Sequence, residues 1–188
     1  MAGKLSGKRV AIVVANRYED VELLFPILRL SEEGAEVLVA PVGERVTGMF
    51  GHPVPIPVMA DGGRYKTIPI EQLKAEDVDC LLFPGGFSPD TLRLHQGTLQ
   101  LVRDCHRLGR FIAAICHGPW VLISAGIIKG KRATGYAAVR DDLVNAGALF
   151  VDVPAVRDGN IITARVPDDL PEFCQEIIRA LSGQESGR

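Results

Sequence analysis

Short, continuous apolar runs alternate along this chain with segments whose apolar residues recur at helical spacing. Arg9-Val-Ala-Ile-Val-Val-Ala15 is one such run, the pattern of a parallel strand covered on both faces. From Val21 to Glu33 the apolar residues repeat three and four apart and stop at Gly34, which predicts a helix, and residues 35 to 40 return to a strand. Strand, helix, glycine and strand make a βαβ unit, whose handedness places its strands parallel. Residues 41 to 77 break into short pieces rich in Gly and Pro, read as small edge strands or hairpins with a short helix near residues 71 to 75. Further strands are expected at 79–83 and 110–115, with helical segments at 91–94, 99–108, 120–125 and 139–145. Brief strands at 131–134, 150–154, 155–157 and 161–164 lead to an amphipathic helix over 169–181.

Repeated βα units of this kind specify a doubly wound α/β sandwich with a mostly parallel sheet. At 188 residues and 47% hydrophobic composition, one core suffices. The expected organisation is a single domain over 1–188, with its core at about 8–181 and a polar C-terminal tail. A net charge of −2 with scattered Lys and Arg gives no nucleic-acid footprint. The polar first residues carry neither a secretory signal nor a membrane span. The expectation is a cytoplasmic protein with no nucleic-acid or membrane partner.

In an open α/β sheet, chemistry gathers at the carboxyl ends of the strands. There, Phe111-Ile-Ala-Ala-Ile115 runs into Cys116-His117-Gly118-Pro119. Gly118 permits a tight turn, Pro119 suits the first turn of a helix, and a thiol at such a strand-to-helix corner faces a helix N-terminus whose field favours thiolate. This is the logic of the serine elbow with sulfur as the nucleophile. His117 can diverge from the sulfur to meet a carboxylate, and its peptide N–H can help to hold an oxyanion; Gly85 and Gly86, which permit close backbone approach, can supply a second N–H. Glu19, at the end of the first strand, can serve as a protonated acid beside the thiol or as an acidic cap for the following helix. Trp120 and Tyr136 are candidates for the cleft wall.

Cys80 and Cys174 read as small core hydrophobes. Cys105 lies in a helical segment where His106 points away from it. The four cysteines have no zinc spacing, and His52 and His95 have no metal-ligand partner at a useful separation. No GxGxxG follows the first strand and no GxxxxGK[ST] occurs, so neither a cofactor nor a metal is expected.

The ordered segments Phe83-Pro-Gly-Gly-Phe-Ser-Pro-Asp90, Ala114-Ile-Cys-His-Gly-Pro119, Leu122-Ile-Ser-Ala-Gly126, Lys131-Arg-Ala-Thr-Gly-Tyr136, Asp141-Asp-Leu-Val-Asn-Ala-Gly147, Val156-Arg-Asp-Gly-Asn160 and Val166-Pro-Asp-Asp-Leu-Pro171 resemble the intracellular protease I branch of the ThiJ/PfpI superfamily across essentially the whole chain. The resemblance implies a nucleophile at Cys116, a histidine partner at His117, an acid hydrogen-bonded to sulfur at Glu19, oxyanion amides at Gly86 and His117, and a pocket tyrosine at Tyr136. It also implies a flavodoxin-like sandwich that works as a homodimer, or as a hexamer built from dimers. In the hexameric proteases a neighbouring subunit's Glu orients the histidine; here the matching position is Asp90, an acid shorter by one methylene.

Family activities comprise peptidase, glyoxalase III-type conversion of α-oxoaldehydes such as methylglyoxal, and deglycase repair of early glycation adducts. The leading expectation is a cysteine-dependent hydrolase or lyase acting on small reactive carbonyls. The alternatives are a cysteine peptidase acting on peptides and, from another class, an oxidative-stress sensor or chaperone that uses an oxidisable Cys116.

Overall fold

A computed structural model describes residues 3–57 and 59–183; the end of the expected polar tail, from 184 onward, lies outside them. Strands β1 (Arg9–Ala15), β2 (Glu36–Val42), β3 (Lys66–Thr67), β4 (Cys80–Phe83), β5 (Phe111–Ile115), β8 (Ala155–Asp158) and β9 (Ile161–Ala164) form one sheet in the order β3-β2-β1-β4-β5-β9-β8. All neighbours are parallel except β8, which runs antiparallel to β9. The order reverses direction at β1 and β4, the topological switch that opens a crevice at the strand ends. A separate pair, β6 (Arg132–Ala133) and β7 (Leu149–Phe150), extends one side of the molecule.

The sheet is buried on both faces, which explains why its strands are apolar without alternation. Val10, Ile12 and Val14 of β1 pack into one core with Leu23, Ile27 and Leu30 of helix α1 (Asp20–Glu32) and Phe173 and Ile177 of helix α6 (Leu170–Leu181). The intervening Ala11, Val13 and Ala15 face the other core, built on Leu99 and Val102 of α3 (Gln96–Arg107), Val121 and Leu122 of α4 (Pro119–Ala125) and Leu143 of α5 (Arg140–Asn145). Each of these large side chains contributes about 1.5–3 kcal/mol by leaving water. Cys80 and Cys105 are buried in these cores and Cys174 is buried in α6, as expected of small apolar residues.

The segment from 41 to 77 differs in detail from expectation. The single helix near 71–75 is two separate 3-10 turns, Ile70–Gln72 and Ala75–Asp77. Extended Leu73 and Lys74 part them, so no α-helical turn can propagate. The helical segment expected at 91–94 starts earlier, as α2 (Ser88–Leu92) with Pro89 in its first turn. His95 is neither a ligand nor a free surface group: its ring accepts the Thr98 N–H at 3.2 Å and caps α3. Among the described residues, no helix is long and apolar enough to cross a membrane.

Candidate active site

Strand β5 delivers Cys116 to the crevice in an unusual backbone state, with φ at +62°. The left-handed region costs a non-glycine residue roughly 1–3 kcal/mol, and here the surroundings impose it. The Cys116 N–H donates to Ala164 O at 3.1 Å, and the Cys116 carbonyl accepts from the Tyr136 N–H at 3.0 Å. Two residues later the Gly118 N–H turns back to Ile115 O at 2.8 Å, and Pro119 opens α4. Backbone crowds this corner from two sides. A Cβ on Gly118 would lie 2.5 Å from Phe83 O, and one on Gly85 would lie 2.7 Å from the Cys116 Cβ. Only hydrogen fits at either position.

A carboxyl group is buried beside this corner, and it belongs to Glu22. Glu22 sits in the first turn of α1 with no solvent exposure. Its Oε2 accepts the Gly85 N–H at 2.6 Å, while Oε1 is buried and has no hydrogen-bond partner among the described residues. Burial raises the Glu22 pKa to about 8, opposed by the Gly85 amide, reinforced by the charge of Glu19 and opposed again by the Cys116 side chain. At neutral pH this group is an acid with a proton to give.

His117 Nδ1 lies 3.2 Å from Cys116 Sγ. Burial pulls the His117 pKa below the ordinary imidazole value, with Asp90 acting in the opposite sense. The ring is held against Trp120 and Tyr136, with centroids 5.0 Å away in each case. Cys116 itself is only 9% exposed. Burial first, and then the charge of an ionised Glu22, push its thiol up to about 12, against the backbone amides of His117 and Gly86. Burial thus opposes the thiolate that the N-terminal field of α4 favours. A protonated Glu22 removes the like charge and leaves two amides aimed at the sulfur.

These groups line one cavity of about 270 Å³ with Glu19, Gly86, Phe87, Asp90, Trp120, Tyr136, Met49, Val166 and Pro167. Gly85 lies directly behind the sulfur. The structure therefore brings the candidate site residues named from the sequence to one crevice, and it corrects the place of one. Glu19 occupies the N-cap of α1, with no side-chain capping bond, at the partly exposed side of the cavity. The acid whose carboxyl interacts with the thiol is Glu22, one helical turn further on, because it turns inward with Leu23, Pro26, Ile27 and Leu30, whereas buried Asp20 is taken up by the loop at Phe50 and His52. Asp90 stands in the pocket of its own chain, where its charge acts on His117.

Met49 was also not evident from the sequence. It is brought to the cavity by a loop fastened to buried Asp20, which accepts the Phe50 N–H at 2.8 Å and the His52 N–H at 3.2 Å and lies 2.6 Å from the His52 ring. His52 is thus a loop histidine with a carboxylate partner. Trp120 is fixed by its Nε1–H, which donates to Asp142 at 2.8 Å. Among the described residues, no group of three or more His, Cys, Asp or Glu side chains could hold a metal ion.

Known proteins resemble this chain in sequence and in fold. The model of the DJ-1/PfpI family matches residues 8–180. A protein of Pyrococcus abyssi named Deglycase PYRAB04690 is 39% identical over 92% of this chain and 99% of its own length. Deglycase PfpI of Pyrococcus furiosus is 37% identical over 92% of this chain and 99% of its own. The crystal structure of Drosophila melanogaster DJ-1beta superposes with a TM-score of 0.81 at 30% identity, covering 94% of this chain and 91% of that one.

Proposed function

Because the chain belongs to the DJ-1/PfpI family, we propose that it is a cysteine-dependent hydrolase or lyase acting on small reactive carbonyls such as methylglyoxal and on early glycation adducts. The observation that carries this reading is the buried Glu22 carboxyl, kept protonated near neutral pH beside Cys116, with the Nδ1 of a neutral His117 3.2 Å from the same sulfur. An acid and a base thereby meet at one nucleophile, as addition of a thiol to a carbonyl requires.

With methylglyoxal the steps balance as follows. The sulfur bonds to the aldehyde carbon, its proton passes to His117 Nδ1, and Glu22 protonates the aldehyde oxygen, giving a neutral hemithioacetal. Glu22 carboxylate then takes the hydrogen on the attacked carbon as a proton while His117 protonates the neighbouring ketone oxygen, leaving an enediol. His117 removes the hydroxyl proton from the sulfur-bearing carbon and Glu22 returns a proton to the other carbon, forming a lactoyl thioester. Water adds to the thioester and loses a proton to Glu22 carboxylate, and His117 returns its proton to the departing sulfur. One methylglyoxal and one water become one lactic acid, with the enzyme restored. The Gly86 and His117 amides, which interact with the sulfur, are the donors assigned to the oxygen charge that develops beside it.

A cavity of about 270 Å³ suits a three-carbon carbonyl compound or a short adduct better than an extended peptide. The test is lactate formation from methylglyoxal in the absence of added thiol. Cys116→Ala should abolish turnover and Glu22→Gln should lower it at least a hundredfold, because removing a general acid typically costs 10²–10⁴. Glu19→Gln should change it only a few fold. Turnover unchanged in Cys116→Ala overturns the reading, and Glu19→Gln matching Glu22→Gln overturns the assignment of the acid.

A further inference from the structure

A second cavity, of about 450 Å³, adjoins the reactive one and shares Tyr136 and Val166 with it as a common wall. Its floor is tied to the sulfur's own backbone, since the Tyr136 N–H donates to the Cys116 carbonyl. Two guanidinium groups line it, in different states. Arg165 is fully engaged: Nε and Nη2 hold the two carboxylate oxygens of Asp169 at 2.9 and 3.1 Å, and Nη1 holds Asp152 at 2.8 Å. Arg140 has no hydrogen bond or ion pair among the described residues. It is instead stacked over the Phe150 ring at 5.6 Å, so its charge is oriented while its donors stay free.

From this we infer that the second cavity is a substrate subsite in which Arg140 receives the carboxylate of an amino acid or peptide carrying the carbonyl adduct. The inference rests on the thiol–carbonyl chemistry proposed above and narrows its substrate class. A planar guanidinium matches a carboxylate with two parallel N–H···O bonds. Stacking on Phe150 supplies the preorganisation that limits the entropy lost on binding. Asp152 does not oppose this role, because its carboxylate is already bonded to Arg165. The reactive cavity alone would accommodate the free oxoaldehyde; the added volume beyond Tyr136 and Val166 matches the remainder of an adduct.

The test is a binding measurement that needs no turnover. S-lactoyl-N-acetylcysteine and its neutral carboxamide are titrated calorimetrically into the Cys116→Ala protein, alone and combined with Arg140→Gln or Arg140→Lys. The expected result is about tenfold tighter binding of the carboxylate form, as one charge-assisted pair supplies. Arg140→Gln should erase that preference and Arg140→Lys should restore part of it. Equal affinity for the two probes in the Cys116→Ala protein, or a preference that survives Arg140→Gln, overturns the subsite. Turnover of methylglyoxal that persists without Cys116 would instead overturn the chemistry on which it rests, a failure that this titration distinguishes.

Discussion

Replacing Glu22 by Gln should make the protein more stable while removing the acid from its site. An ordinary carboxyl in the unfolded chain loses its proton near pH 4.5, whereas the buried group holds it to about 8. Across that interval the unfolded state gains by ionising and the folded state does not. Its raised pKa therefore gives a contribution that is complete below pH 4.5, declines as pH rises and levels off above 8. Each pH unit inside the window is worth 1.36 kcal/mol, so at pH 7 the carboxyl costs the fold about 3 kcal/mol relative to a group that never ionises. Glutamine has the same shape, can accept the Gly85 N–H and carries no titrating proton. In a chain of 188 residues, about 3 kcal/mol corresponds to a rise of about 6–12 °C in Tm. Thermal unfolding of both proteins at half-unit steps from pH 5 to 8 measures this directly. The two Tm curves should start close together and diverge as pH increases, with the variant above. Parallel curves, or a variant less stable at pH 7, would refute the argument that Glu22 is held neutral by burial.

The pH dependence of kcat/KM for methylglyoxal should fall above about pH 8 as Glu22 ionises, and fall on the acid side below the ordinary imidazole range as His117 takes a proton; a profile still rising at pH 9 contradicts the assigned protonation states. Gly118→Ala should cost about 3 kcal/mol or more, because the new Cβ meets the Phe83 carbonyl at 2.5 Å and the Ile115 carbonyl at 2.8 Å, neither of which can move without parting strands. Denaturant unfolding checks it, and a loss below about 1 kcal/mol would show that the corner is looser than these distances imply.

Much of this arrangement was legible in the chain. β1 carries a continuous apolar run because it is covered on both faces, and its predicted limits, 9–15, match the observed strand. The turn after Ile115 was readable because Gly118 and Pro119 are required there by close approach and helix initiation. Glu22 was not recognised, because acidic residues at 19, 20 and 22 all suit the start of a helix. Its phase held the signal: residues 22, 23, 26, 27 and 30 form one buried stripe, so Glu22 is a carboxyl on the apolar face. Glu19 lies off that stripe, at the cap. Met49 could not be read in advance, since its place depends on Asp20 gathering a loop some thirty residues distant.

The backbone of Cys116 is bonded on one side to Ala164 of β9 and on the other to Tyr136, in the segment before α5. Its strained φ could relax only if those bonds broke, and the first extends the β5–β9 pairing inside the sheet. Reactive corners carried on loose loops can fray while the rest of a molecule remains intact. Here the corner shares the cooperative unit of the core, so heat cannot disarm the sulfur by local melting and the site lasts as long as the fold does.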